Sequence, residues 1–202
     1  MQNKENFLSE TMIFPPIAFF TAIAVKNILV IDAFENYQKK SLRNRFILDS
    51  SQGSIELSLP LKKGKHQNQL ITAVELSYAE QWQIKHWRTI QSIYGKSPYF
   101  IYYKEELKEL FYQQEKYLFD FNKNILKYLL DAIRLDISVL DSSEFIPTKD
   151  PIPELSGKIP YYQCYRQNGV FISGLSILDL LFHCGPESIL YLNQFYQNKV
   201  FS

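Results

Sequence analysis

The stretch FPPIAFFTAIAVKNILVID, residues 14–32, decides the fold class. Its two prolines indicate a turn, residues 18–26 have a helical pattern, and residues 28–31 form a short β-branched run typical of a buried strand. A turn, a helix and a strand in this order indicate the start of a βαβ unit. Asp32 then stands at the carboxyl end of a parallel strand, where ligands of open α/β sheets collect.

The segment ENYQKKSLRNRF, residues 35–46, directly follows that strand and interleaves Lys and Arg with amides and a tyrosine. Arginine forks and lysine ammonium groups suit phosphate or carboxylate. We predict a loop facing a cleft, with Tyr37 and Gln38 orienting the uncharged part of a ligand. The alternative is an exposed strand edge whose charges prevent pairing with another strand. The predicted binding residues are Asn36, Tyr37, Gln38, Lys39, Asn44, Arg45, Lys62 and Lys63.

Further along the chain, two alternating stretches flank Ser-Ser-Gln-Gly at residues 50–53 and predict a β-hairpin. The run LITAVELS, residues 70–77, is a candidate third strand. Between them, residues 62–69 form a basic loop that can reach over the site. Strands are therefore predicted both before and after the segment of residues 35–46.

The middle of the chain, residues 78–135, is helical in pattern and is broken at Gly95 and Pro98. A strand at residues 136–140 and a proline-rich surface loop at about 141–160 follow it. Asn168-Gly169 indicates a second hairpin, and two short helices separated by Gly185-Pro186 end the chain, the first with the capping-box spacing of Ser176 and Asp179. The predicted fold is a single α/β domain over residues 1–202, with a mixed sheet, a βαβ start and a helical middle segment. The predicted core stripes of the middle helices are Ala79, Trp82, His86, Ile90 and Ile93, then Leu107, Leu110 and Phe111, then Leu118, Ile125, Leu129 and Ile133.

Charge and cysteine usage exclude several classes of function. The net charge is only +1, whereas residues 39–65 carry a local charge of +5, which favours a small phosphorylated ligand over a nucleic acid. Two cysteines twenty residues apart predict neither a zinc site nor a disulfide framework, so we expect a cytoplasmic protein. The apolar run of residues 12–25 is too short to span a bilayer. Glycine-rich phosphate loops are absent from the sequence, and no cofactor or metal is predicted.

His86 is the best candidate for an acid or base. It lies on the apolar arc of the first middle helix beside Trp82, where a histidine is either a core residue or a general base facing a pocket. His183 lies near a helix end, where it can interact with the last carbonyls. For both histidines, the sequence leaves a structural role and a functional role open.

Four ordered segments resemble the WbqC-like protein family: ENYQKKSLRNR, LPLKKGKHQNQLI, WQIKHWRTIQSIYGKSPYF and LSILDLLFHCGPE. The resemblance spans residues 15–187, and the chain looks like a compact variant, since longer members have extra sequence before the last segment. The family takes its name from a gene in clusters for bacterial surface polysaccharide. The resemblance therefore implies a transferase-type enzyme of O-antigen-like biosynthesis that binds a phosphorylated or nucleotide-sugar substrate. The alternative is a non-catalytic binding protein that uses the aromatic residues of the helical segment at residues 94–117.

Overall fold

A parallel three-stranded sheet forms the first layer of the fold in the computed structural model, which describes residues 6–63, 68–155, 161, 163 and 174–200. Strand β1 (Phe7–Ser9) pairs with β2 (Ile28–Ile31), and β2 pairs with β5 (Ser138–Asp141). Helix α1 (Ile17–Ile23) connects β1 to β2. The predicted βαβ start is confirmed, and the carboxyl ends of all three strands meet at one edge.

Helix α1 is buried because its residues are apolar on nearly every side. Pro16 takes an extended conformation at the N-cap, and Phe19, Phe20 and Ile23 are fully buried. Two helices near the end of the chain, α5 (Ile177–Cys184) and α6 (Ser188–Val200), pack against it. Gly185 separates these two helices at a φ of +53°, and a Cβ added there would lie 2.3 Å from the Tyr99 ring. The predicted pair of helices divided at Gly185-Pro186 is thus confirmed.

The predicted hairpin at residues 50–53 is confirmed as β3 (Arg45–Ser50) and β4 (Gly53–Ser58), which pair antiparallel as a separate two-stranded sheet. Gly53 has a φ of +112° at the turn, as its position in the sequence predicts. Phe46 and Leu48 alternate with more exposed residues and enter the core. Because β3 begins at Arg45, the hairpin determines where the loop that follows β2 ends.

Helix α2 (Trp82–Tyr94) packs against β3, and α3 (Phe100–Tyr112) packs against both α2 and α4 (Leu118–Ala132). In the predicted stripes of α3 and α4, Leu110 is half-buried and the other members are buried, namely Leu107, Phe111, Leu118, Ile125, Leu129 and Ile133. On α2 the buried side includes Trp87, whereas His86 is only half-buried and Ala79, which precedes the helix, is exposed. None of the described helices is both long and apolar enough to cross a membrane.

The prediction of a strand at residues 70–77 is wrong. Residues 71–73 form a 3₁₀ turn, and the flanking residues form only isolated bridges with three different segments. The amide of Ile71 donates to the Glu35 carbonyl, while the amide of Leu76 donates to that of Lys116. Ile71, Val74 and Leu76 are buried although the run crosses between neighbouring segments and continues neither sheet.

The elements predicted after residue 135 agree with the structure only in part. The strand expected at residues 136–140 begins at Ser138 and ends at Asp141. Residues 142–155 contain neither helix nor strand, and residues 156–160 of the predicted proline-rich loop lie outside the described residues. The hairpin predicted at Asn168-Gly169 lies outside the described residues. Ser176 caps α5 as predicted by accepting from the Leu178 amide, but the Asp179 carboxylate instead accepts hydrogen bonds from Tyr161 and Gln163.

Candidate functional site

A polar cleft of about 710 Å³ lies at the carboxyl edge of the parallel sheet. Each of the three strands leads into it: Glu10 follows β1, the segment beginning at Glu35 follows β2, and residues 145–149 follow β5. The volume is within the range of small-molecule sites, and the position is the one that ligands of open α/β sheets occupy. Its lining comprises Glu10, Glu35, Asn36, Tyr37, Gln38, Lys39, Arg43, Asn68, Phe145, Pro147 and Lys149.

A second depression of about 500 Å³ lies before β5, at the opposite edge of the sheet. It is lined by residues of α4 and of the connection to β5, so it draws on one stretch of chain only. The cleft at the carboxyl edge joins the segments after three strands and is therefore the better candidate.

The floor of the cleft is a buried arginine between two carboxylates. Arg43 Nη2 donates to Glu10 at 3.0 Å and also to Glu35, and the amide of Thr11 donates to Glu35 at 3.2 Å. The side chains of Arg43 and Glu35 are 2% and 3% exposed, whereas that of Glu10 is 31% exposed. Burial raises the pKa of Glu35 although Arg43 opposes the shift. Glu10 is thus the floor carboxylate that a ligand reaches.

Two nitrogen atoms of Arg43 enter no hydrogen bond with the described residues. These are Nε and Nη1, and both are buried. A buried donor without a partner costs free energy. The floor therefore carries hydrogen-bonding capacity that the described protein groups leave unused.

Among the described residues, exposed amides and one lysine form the rim of the cleft. Asn36, Gln38, Lys39 and Asn68 all have exposed side chains. Tyr37 is buried between them, and its hydroxyl donates to Asn44 Oδ1 at 3.0 Å, while the Asn44 amide donates to the Leu59 carbonyl at 2.9 Å. Asn44 therefore supports the rim from behind.

One wall of the cleft is the segment that follows β5. It is fixed to Asp32, which is fully buried and accepts hydrogen bonds from the Ile146 amide at 3.0 Å and from Lys149. Phe145 is 54% exposed, and the Lys149 ammonium lies 4.7 Å from its ring centroid. Asp32, predicted to mark a ligand position, instead holds the wall of the site.

The other predicted binding residues lie elsewhere. Arg45 forms an ion pair with Glu56 across the hairpin, and Lys62 forms one with Glu75. Lys63 is exposed. These three residues and His86 are not among the described residues that line the cleft. The structure therefore does not bring these four residues together with the lining of the cleft, since β3 begins at Arg45 and carries it out of the loop.

His86 lies in an aromatic cluster on α2. Its ring centroid is 5.5 Å from that of Trp82 and 6.4 Å from those of Phe46 and Phe111. Burial lowers its pKa to about 4, with a smaller effect from Lys85, and its Nδ1 is buried without a partner among the described groups. The imidazole is therefore neutral near pH 7 and lies half-buried in this aromatic cluster.

We expect that His86→Phe makes the protein more resistant to acid. A histidine has a pKa of about 6.5 in the unfolded chain, so the unfolded state binds more protons between pH 6.5 and 4 and the wild type loses stability as the pH falls through that range. Phenylalanine should remove a loss on the order of 1 kcal/mol between pH 7 and pH 5. Urea unfolding at both values measures it, and an equal pH dependence in the two proteins would contradict the burial of a neutral ring.

The sequence pointed to the segment but missed its buried part. Glu10 and Lys149 give no signal by spacing, whereas Arg43 lies within the segment of residues 35–46 that the sequence singles out. The signal that identifies Glu10 is its position directly after β1, which is visible only once β1 is known. Among the described residues, no group of three or more His, Cys, Asp or Glu side chains is placed to hold a metal ion.

Comparison with known proteins gives one result. Searches among curated proteins and among solved structures find no match. The family model for WbqC-like proteins matches residues 11–155 and 152–191. The two matched segments meet at residues 152–155, within the loop where longer members are expected to carry extra sequence. Because the match covers most of the sequence, including every strand but β1 and all the residues of the cleft except Glu10, the chain belongs to the WbqC-like protein family.

Proposed function

We propose that the cleft binds a phosphorylated or nucleotide-linked sugar and that the protein transfers a group in the assembly of a cell-surface polysaccharide. The observation that carries this proposal is the polar cleft at the carboxyl edge of a parallel sheet, to which the segments after all three strands contribute. The surface-polysaccharide context rests on the origin of the family name. A cytoplasmic location stays a prediction from cysteine spacing.

In this proposal, residues at the rim of the cleft contact the phosphate and the sugar of the ligand. Lys39 is the cation at the rim, placed to contact a phosphate, while the amides of Asn36, Gln38 and Asn68 can both donate to and accept from sugar hydroxyls. The proposed anion contact therefore narrows from several basic residues to Lys39. Arg45 and Lys62 are left out because each already pairs with a glutamate outside the cleft.

Proton transfer falls to Glu10 in this proposal. It is the more exposed of the two floor carboxylates and can accept a proton from the hydroxyl or amine that receives the transferred group. Glu35 is buried against Arg43 and Thr11, so it positions the arginine. The Cys184 thiol is no nucleophile here, since burial raises its pKa to about 12.

The alternative of a binding protein with an aromatic helical face has less support. Tyr94, Phe100 and Phe111 of that segment are buried in the core. Tyr102 and Tyr112 are exposed, at 74% and 38%, but they are only two of the eight aromatic residues in the segment on which the alternative relied. The cleft therefore carries the proposal.

Lys39→Ala should weaken the stabilisation that a nucleotide sugar gives. At a ligand concentration of about 100 times Kd, the wild type gains about 2.7 kcal/mol, which raises Tm by roughly 5–10 °C. Loss of a charged contact costs about 1.5–3 kcal/mol, so affinity should fall at least tenfold. Thermal shift against a panel of nucleotide sugars and sugar phosphates measures both values.

The matched control for this experiment is Lys63→Ala, since Lys63 is also an exposed lysine of the basic segment but lies outside the lining of the cleft. We expect this variant to respond to ligand as the wild type does. A ligand-induced shift that is unchanged in Lys39→Ala, or reduced equally in both variants, would reject the cleft as the binding site.

A further inference from the structure

We propose that Phe145 is a stacking platform for the base of a nucleotide, so that the cleft selects nucleotide-linked sugars over simple sugar phosphates. This inference rests on the proposed function and names the substrate class of the same site. It goes further because the family and the sequence leave both kinds of ligand open.

Phe145 is an exposed aromatic ring held in a fixed position. It lines the cleft with 54% of its surface exposed, although a ring of this size is normally buried. The amide of the next residue, Ile146, is bound to the buried Asp32 carboxylate. Lys149 donates to Asp32 and to the Ile146 carbonyl, and its ammonium contacts the ring at 4.7 Å. The ring is therefore both exposed to the cleft and held in position before a ligand binds.

The polar groups around this ring match the remaining parts of a nucleotide. A base presents a flat π-face for stacking and an edge of donors and acceptors. The amides of Asn36, Gln38 and Asn68 can pair with such an edge, since each has both a donor and an acceptor. Lys39 at the same rim supplies the positive charge for the phosphates. A sugar phosphate uses the amides and the lysine but has no π-face for the ring.

The residues that hold the wall are separate from those that contact the phosphate. Asp32 and Lys149 fix the wall after β5, whereas Lys39 belongs to the loop after β2. Loss of the Phe145 ring should therefore remove stacking and leave the phosphate contact in place. This separation makes the inference testable independently of the proposed function.

The test is isothermal titration of the full chain with UDP, CDP, GDP and ADP, and with glucose 1-phosphate as the ligand that lacks a base. Phe145→Ala should raise the Kd of the best nucleoside diphosphate about tenfold or more and leave that of the sugar phosphate within about twofold. Phe145→Trp should restore nucleotide affinity. The matched control is Phe34→Ala, because Phe34 is 44% exposed but does not line the cleft among the described residues.

Each outcome has one meaning. Equal nucleotide affinity in Phe145→Ala and the wild type, or an equal loss for nucleotide and sugar phosphate, overturns the stacking role. A wild type that binds glucose 1-phosphate but none of the nucleoside diphosphates also overturns it, while the proposed function stands. A wild type that binds none of these ligands and none of the nucleotide sugars rejects the proposed function itself. A thermal midpoint of ligand-free Phe145→Ala close to that of the wild type verifies that folding is intact.

Discussion

Replacement of Arg43 by methionine is expected to lower the free energy of unfolding by about 3–5 kcal/mol. The guanidinium is 2% exposed and binds Glu35, which is 3% exposed. Methionine keeps much of the volume but leaves the Glu35 carboxylate buried with only the Thr11 amide as a donor among its described contacts. An uncompensated buried charge is among the most destabilising changes known, so urea unfolding should show a large shift of the midpoint.

The hairpin offers a matched control for this variant. Arg45 also pairs with a glutamate, but the two side chains of that pair are 30% and 50% exposed, so Arg45→Met should cost less than about 1 kcal/mol. Adding Glu35→Gln to Arg43→Met should recover part of the loss, because an amide oxygen still accepts from Thr11 and carries no charge. Similar costs for the two arginine variants would show that the floor of the cleft is no tighter than a surface ion pair.

Local pattern was sufficient to predict the βαβ start and the hairpin. The prolines before α1 and the β-branched run of β2 determine each element within a few residues of chain. Residues 70–77 show the same apolar composition, yet their backbone partners are Glu35, Lys116 and Pro60, which lie far apart in sequence. Tertiary contacts determine that segment, so no local pattern was able to predict its structure.

The candidate site shows the same division between local and distant information. Arg43 and Arg45 are two residues apart and would face the same side of a strand. The strand begins only at Arg45, however, and Lys40 in the preceding turn has a φ of 57°. Alternation is lost in this turn, so one arginine enters the floor of the cleft while the other pairs across the hairpin. Periodicity identified the segment but was unable to separate its buried side from its exposed side.

Asp32→Ala is expected to lower the free energy of unfolding by about 3 kcal/mol. The carboxylate is fully buried and accepts hydrogen bonds from the amides of Phe34 and Ile146, from the Ser142 hydroxyl and from the Lys149 ammonium. Alanine removes the acceptor of all four donors. The comparable variant is Asp141→Ala, since the Lys123–Asp141 pair at the end of β5 has side chains 26% and 37% exposed and should contribute less than about 1 kcal/mol.

The contribution of Asp32 should also depend on pH in a defined direction. Burial is the largest influence and by itself raises the pKa of Asp32, but the hydrogen bonds from Lys149, Ile146 and Phe34 outweigh it and hold the pKa below the usual value. Stability from such a carboxylate is present above the unfolded pKa of about 3.9 and is lost as the pH falls through the folded pKa. The difference between wild type and Asp32→Ala in urea unfolding should therefore be larger at pH 7 than at pH 3.

The same substitution separates a structural role of Asp32 from its effect on the cleft. Asp32 binds the backbone beside Phe145 and the ammonium above its ring, so alanine should free the wall and weaken nucleotide binding at temperatures where the variant is still folded. Asp141→Ala leaves these contacts in place and should bind as the wild type does. Nucleotide affinity that survives Asp32→Ala unchanged would mean that the wall after β5 takes no part in recognition, because its anchor would be gone while binding remained.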